Sequence, residues 1–360
     1  MVNMKKVAII GIVGLPAKYG GWETLAHHLT QKLKTQFDFT VYCSRKRYSE
    51  MPKDFNGVHL EYINLDANGV QSIPYDLVAM LRAIKYADTM LILGVSGCIF
   101  LPIMKLFSNK KWIVNIDGLE WRRGKWGPFA KWFLKLSEGV AVRFADVVVT
   151  DNKAIQDYVQ SEYGRHSVMI AYGGDQTYRP IYDKNILTHY GLDEVRYAFK
   201  VCRIEPENNL DLIIKSFEFS SHLDLVIVGN WKNSNYGIEL RKKYGKLPHI
   251  HLIDPIYDQE ILNQIRSACY VYVHGHSAGG TNPSLVEAMS LGLPIAAFDC
   301  VFNRETIAGQ GLFFNSSEEL TTLLNSFDDD LLANLGIKMK QLADQLYTWD
   351  RVSSDYAEIL

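Results

Sequence analysis

Short apolar runs recur along this chain, and longer stretches with helical spacing separate them. Val7–Ile12, Phe39–Cys43, His59–Ile63, Thr89–Leu93, Trp112–Ile116 and Val147–Thr150 read as strands, with Glu23–Leu33 and Pro74–Tyr86 as helices. Several runs are apolar on both faces. A strand tolerates that only where helices cover its sheet on each side, as in a parallel α/β sheet. The pattern then restarts. Tyr197–Val201, Leu223–Val228, His251–Ile253, Tyr270–His274 and Ile295–Phe298 read as strands, and Leu210–Phe217, Ile238–Tyr244, Glu260–Ala268 and Ser284–Leu291 as helices. This predicts two Rossmann-like domains, 1–175 and 176–346, facing each other. The join falls within Ala171–Pro180, which carries Gly173, Gly174 and Pro180. Tyr347–Leu360 reads as a polar-faced helix expected to pack back on the first domain.

Composition narrows the function classes. A chain of 360 residues, 48% hydrophobic, can bury more than one core. A charged fraction of 22% and a net charge of -2 argue against disorder and against a nucleic-acid binder. Cys43, Cys98, Cys202, Cys269 and Cys300 form no CxxC pair and suit buried free thiols in a reducing, cytoplasmic setting. Val7–Leu15 behind Lys5-Lys6 is too short for a signal segment and reads as a buried first strand. No stretch reaches the ~20 apolar residues of a membrane span.

The segment Gly279-Gly280-Thr281-Asn282-Pro283-Ser284-Leu285-Val286-Glu287 follows a strand and opens a helix. Glycines let the backbone approach a ligand, Pro and Ser suit a helix start, and the helix end favours an anion such as a diphosphate. Glu287, one turn in, can accept hydrogen bonds from sugar hydroxyls. An ordinary glycine turn with a solvated Glu287 has the same pattern.

This segment resembles the donor site of the retaining GT-B glycosyltransferases of family four. There a Glu, seven residues and a second Glu precede Ala-Met and a Gly-x-Pro, as Glu287-Ala288-Met289 and Gly292-Leu293-Pro294 do here. Gly279 stands in place of the first Glu, which leaves part of the sugar contact unassigned. Val201-Cys202-Arg203-Ile204-Glu205-Pro206-Glu207-Asn208-Asn209 resembles the family's loop with an Arg and a Lys. Arg203 is retained and suits bidentate contact with phosphate oxygens. Asn208 replaces the Lys, and Lys232 is a candidate for the missing charge, though an exposed surface lysine would read the same. By the resemblance, Ile256 and Tyr257 sit where the base is contacted. The fold it implies is GT-B, with a deep interdomain cleft.

Gly11-Ile12-Val13-Gly14-Leu15-Pro16-Ala17-Lys18-Tyr19-Gly20-Gly21-Trp22-Glu23 lacks dinucleotide-fingerprint spacing. It resembles the family's glycine-rich loop, with Gly20 and Gly21 near the donor phosphates. Its Pro-Ala-Lys-Tyr-Gly-Gly-Trp-Glu form is closer to a bacterial subfamily of rhamnosyltransferases of surface polysaccharide (O-antigen or capsule) assembly. Asp117, at the end of a strand, is the first candidate for an acceptor-side base or charge stabiliser, and Glu120 the second. Trp126, Phe129, Ala130, Phe133 and Leu134 fall at helical spacing beside Lys131 and Lys135, with Lys105, Lys110 and Lys111 upstream. Such a face suits a lipid headgroup layer, as a polyprenyl-diphosphate-linked saccharide acceptor would require.

The resemblance implies a nucleotide-sugar co-substrate, with dTDP-rhamnose favoured and a UDP-hexose open. It implies no cofactor, no metal ion, and peripheral association with the inner face of the cytoplasmic membrane. Asp328-Asp329-Asp330 reads as a solvent-facing stretch rather than a metal-binding acidic pair. A nucleotide-sugar 2-epimerase and an inactive GT-B scaffold are the rival readings.

Overall fold

The computed structural model describes residues 4–18, 20–218 and 222–360. Tyr19, part of the glycine-rich motif, lies outside the described residues. The chain divides into two compact units, Met1–Arg122 with Trp126–Tyr172 and Trp349–Leu360, and Arg123–Lys125 with Gly173–Thr348.

The first unit is built on an eight-stranded sheet in the order β3-β4-β2-β1-β5-β6-β7-β8. Its strands are β1 (Lys5–Ile10), β2 (Phe37–Ser44), β3 (Asp54–Phe55), β4 (Val58–Ile63), β5 (Thr89–Leu93), β6 (Lys111–Asn115), β7 (Val147–Thr150) and β8 (Val168–Met169). Every pairing is parallel except β3 with β4. Val7, Ala8, Ile9 and Ile10 are buried on both faces of β1, which explains why the run shows no alternation. The terminal helix Trp349–Ile359 closes this unit. Trp349 stacks on His28 at 4.4 Å between ring centroids, and Thr89 Oγ1 donates to the Leu360 carbonyl at 3.1 Å.

The second unit holds a six-stranded sheet in the order β11-β10-β9-β12-β13-β14, all parallel. Its strands are β9 (Tyr197–Val201), β10 (Asp224–Val228), β11 (Ile250–Ile253), β12 (Val271–His274), β13 (Ile295–Phe298) and β14 (Leu312–Phe314). Ala198, Ile213, Phe217, Leu225, Ile227 and Val273 belong to the core on one side of this sheet. Asp328 caps the helix Asp329–Leu346, its Oδ1 accepting from the Leu331 amide at 2.8 Å. The three consecutive aspartates therefore form a charged helix start.

The helix Pro128–Phe144 departs from the expected stripe. Leu134 is buried, Trp126, Ala130 and Phe133 are half-buried, and Phe129, Trp132 and Leu136 are exposed. The buried face runs through Leu134, Ser137, Glu138, Ala141 and Val142. Two of its members are polar, so apolar spacing alone selects the wrong face. Ser137 Oγ donates to the Val95 carbonyl at 2.5 Å. Glu138 accepts from Tyr158 and Tyr163 at 2.7 Å each and from Trp121 Nε1 at 3.0 Å. Lys135 is drawn into this network and pairs with Glu162 at 2.9 Å, while Lys105 pairs with Asp146.

Asp76, on the helix Ser72–Ala83, is buried against Gly97, where an added Cβ would overlap its own. Burial pushes its carboxyl up to about 7, against an opposing hydrogen bond from the Gly97 backbone. The folded state then holds a proton that the unfolded chain releases near its ordinary value of 3.8. Stability from this site is fully present below that value and is lost as pH rises through about 7. Asp76→Asn should raise stability at pH 8 by on the order of 3–4 kcal/mol, with the gain vanishing toward pH 4, as urea unfolding at both pH values would show.

Candidate functional site

In an open α/β sheet, ligands bind beyond the carboxyl ends of the strands, where the strand order reverses. In the second unit that reversal lies between β9 and β12. The loops leaving these strands are Cys202–Asn209 and Gly275–Asn282, and β10 and β11 add Gly229–Asn233 and Asp254–Asp258 at the same sheet edge. Arg203, Lys232, Ile256, Tyr257 and Gly279 to Glu287 are therefore brought to one edge by topology.

Hydrogen bonds stitch the two central loops together. Asn208 Nδ2 donates to the Arg203 carbonyl at 2.9 Å, and its Oδ1 lies 3.2 Å from His276 Nδ1. Asn209 Nδ2 donates to the Gly275 carbonyl at 2.8 Å, and the Ser277 amide donates to the Glu207 carbonyl at 2.9 Å. Asn208 is buried. The position read as a lost lysine is thus a tie that joins the Arg203 carbonyl of one loop to His276 of the other.

The helix Pro283–Ser290 starts at Asn282, whose Oδ1 accepts from the Ser284 amide at 3.1 Å and the Ser284 hydroxyl at 2.9 Å. Tyr272 donates to that hydroxyl at 2.9 Å. Asn282 and Ser284 are therefore engaged in building the helix start. Gly279, Gly280 and Thr281 form the loop above it. Gly279 has φ +102, a backbone conformation that L side chains rarely adopt. An acidic residue here would carry backbone strain, which gives the departure from the family pattern a local cause.

Glu287 is held from two sides. Its Oε2 lies 2.8 Å from Nη1 of Arg266, and its Oε1 accepts from Gln176 Nε2 at 2.8 Å. Arg266 is buried on the helix Gln259–Ser267, beside Leu262 and Ile265. The C-terminal end of the helix Pro283–Ser290 is fixed by Arg179, whose Nε and Nη2 donate to the Leu291 carbonyl at 3.0 and 2.7 Å. Sequence reasoning missed Arg266, Gln176 and Arg179. The signal available for Arg266 was a cation on the apolar stripe of its helix.

Beneath the loops lies a buried basic group of Lys200, His274 and His276. Burial first, and then the charge of Lys200 and the neighbouring ring of His276, hold His274 well below its ordinary value. Burial, then Arg123, Lys200 and Arg203, push His276 down to about 3. Both rings are neutral at physiological pH. Arg203 and Lys232 themselves are exposed, as is Tyr257, while Ile256 is half-buried.

In the first unit the strand order reverses between β1 and β5. The glycine-rich loop follows β1. Gly11 has φ +94, and an added Cβ would strike the Leu93 carbonyl. The helix Gly21–Leu33 begins at Gly20, and buried Glu23 turns back to accept from the Val13 amide at 2.7 Å. Asp117 follows β6, next to β5. Its φ is +63, and that of Leu119 is +54. Non-glycine residues held there carry strain, which is typical of functional loops. The Asp117 amide donates to Asn115 Oδ1 at 3.2 Å, and Asn115 Nδ2 donates to Tyr356 Oη at 2.9 Å. The terminal helix thereby supports the Asp117 loop. Glu120 Oε1 accepts from Trp126 Nε1 at 3.0 Å, which marks it as a loop anchor.

Among the described residues, no group of three His, Cys, Asp or Glu side chains is placed to hold a metal ion. No described helix is long and apolar enough to cross a membrane.

Residues 188–331 match the family model described as glycosyl transferases group 1, and residues 4–175 match a domain of unknown function, DUF1972. No curated protein matches the chain. Among solved structures, it is similar to sucrose-phosphate synthase from Thermosynechococcus elongatus, with 15% identity and a TM-score of 0.84 over 99% of this chain and 98% of that one. It is also similar to HepE from Anabaena in complex with UDP-glucose, with 16% identity and a TM-score of 0.77 over 99% of each chain. A glycosyltransferase from Rickettsia africae has 12% identity and a TM-score of 0.74, over 99% of this chain and 98% of that one. These likenesses establish two parallel-sheet domains of GT-B type.

Proposed function

We propose that this glycosyltransferase, whose residues 188–331 form a glycosyl transferases group 1 domain, moves a hexosyl or deoxyhexosyl unit from a nucleotide diphosphate donor with retention of configuration. The observation that carries this reading is the stitched pair of loops at the β9–β12 reversal. It combines a glycine-rich helix start, Arg203, and a Glu287 carboxylate fixed by Arg266 and Gln176. The helix end and Arg203 offset charge on the departing diphosphate, and no metal ion enters the scheme. Glu287 accepts hydrogen bonds from sugar hydroxyls of the donor. In the first unit, Asp117 serves the acceptor hydroxyl as base or stabilises positive charge on the sugar.

The donor favoured by motif likeness is dTDP-rhamnose, and the acceptor is a saccharide on a polyprenyl diphosphate in surface polysaccharide assembly. That acceptor places the enzyme at the inner face of the cytoplasmic membrane. A UDP-hexose is the second reading, supported by the UDP-glucose complex of the similar HepE.

Radiolabelled donors incubated with the enzyme and a lipid-linked acceptor test the proposal. A labelled glycolipid is expected from one donor, and Asp117→Asn should lower its turnover roughly 10²-fold or more. A labelled epimer formed without acceptor would instead make the protein a donor epimerase. Unchanged turnover in Asp117→Asn would remove Asp117 from the chemistry.

A further inference from the structure

The helices Leu101–Leu106 and Pro128–Phe144 pack against each other in the first unit. Both carry large apolar residues in solvent. Leu106 is 81% exposed, Phe107 78%, Phe129 77% and Trp132 60%. Phe129 and Trp132 lie side by side, with ring centroids 5.8 Å apart, and Ile103 and Leu136 are also exposed. Exposure of this kind on two packed helices marks a surface that something covers.

Charge identifies what covers it. Lys131 is next to Trp132 on the helix, Arg143 is in its last turn, and the segment 101–144 has only three acids, Asp117, Glu120 and Glu138. Glu138 is buried and accepts from Tyr158, Tyr163 and Trp121. Glu120 accepts from Trp126, and the nearby Asp146 pairs with Lys105. The rim is therefore basic. A second copy of the same face would bring cation onto cation, so self-association is disfavoured. An anionic bilayer surface matches both properties, because tryptophan and phenylalanine settle at the headgroup boundary while lysine and arginine meet lipid phosphates.

We propose that this face docks on an anionic lipid bilayer through Phe129, Trp132, Leu106 and Phe107, with Lys131 and Arg143 on the headgroups. The inference deepens the lipid-linked acceptor reading by naming the membrane-facing residues.

The test is co-sedimentation of the full chain with vesicles of phosphatidylcholine alone or mixed with phosphatidylglycerol, at low and high salt, without donor or acceptor. Binding is expected on the mixed vesicles at low salt. The double variant Phe129→Ser with Trp132→Ser should weaken it roughly tenfold or more. Lys131→Glu should weaken it about fivefold or more on mixed vesicles. Leu106→Ser with Phe107→Ser probes the other end of the proposed surface, where Lys105 donates to the Phe144 carbonyl, should either variant fold poorly. Absence of binding to mixed vesicles, or binding unchanged in both apolar double variants, overturns the proposal. So does a wild-type dimer that those variants dissolve, since the face would then be a chain–chain interface. Vesicle binding is read without sugar transfer, so either reading can fail while the other stands.

Discussion

Glu287→Ala is expected to destabilise the second unit by about 3–5 kcal/mol and to weaken donor binding at least ~tenfold, through two separable causes. The stability loss arises because Arg266 is buried and Glu287 is the carboxylate 2.8 Å from it. Removing the carboxylate leaves a desolvated guanidinium without its counter-charge. The binding loss arises because the same carboxylate is the proposed acceptor for sugar hydroxyls. The double variant Glu287→Ala with Arg266→Met separates the two. Without the stranded charge, much of the stability should return, as a thermal melt would show. Affinity for a nucleotide diphosphate sugar should stay at least ~tenfold weaker in calorimetric titration, because one lost charged hydrogen bond is worth that much. If donor affinity recovers along with stability, Glu287 has only a structural role.

Gly275→Ala should be the most damaging single-methyl change in the second unit. Gly275 sits between His274 and His276, where an added Cβ would run into the Asn208 carbonyl and the Ile213 side chain. The carbonyl belongs to the very loop that Asn208, Asn209 and Ser277 hold against the glycine-rich segment. Relief requires the two loops to separate, at a cost of about 1–3 kcal/mol. The separation moves Arg203 away from the helix start, so the donor KM should rise roughly tenfold with a smaller change in kcat. Gly124→Ala is the control. An added Cβ there meets nothing within 4 Å, and stability should change by less than about 0.5 kcal/mol. Equal effects at the two positions would mean that loop spacing does not govern donor binding.

Much of the fold was legible because its strands are buried on both faces. Thr89–Leu93, Val147–Thr150, Tyr197–Val201 and Ile295–Phe298 lie in the structure where the apolar runs placed them. Such runs need no partner to be recognised. The edge strands Asp54–Phe55, Val168–Met169 and Leu312–Phe314 are too short to establish a period, and their identity comes from pairing with a neighbour.

The candidate site divides along the same line. The glycines, the helix start and the positions of Arg203, Glu287 and Asp117 were visible as local chemistry, since each depends on residues adjacent in the chain. What each side chain does was decided by partners far away in sequence. Arg266 and Gln176 hold Glu287, and His276 and Arg203 give Asn208 its place as a tie. Tyr356 supports Asn115 and through it the Asp117 loop. The helix Pro128–Phe144 shows the limit most clearly. Periodicity counts apolar residues, but Glu138 faces inward because two tyrosines and a tryptophan satisfy it there, which turns Trp132 to solvent. Sequence by itself determined the alternation of strands and helices and the glycine-rich helix start, because backbone sterics and burial act locally. Only the tertiary structure decided which polar groups are paired, and therefore which face of a helix remains free to bind.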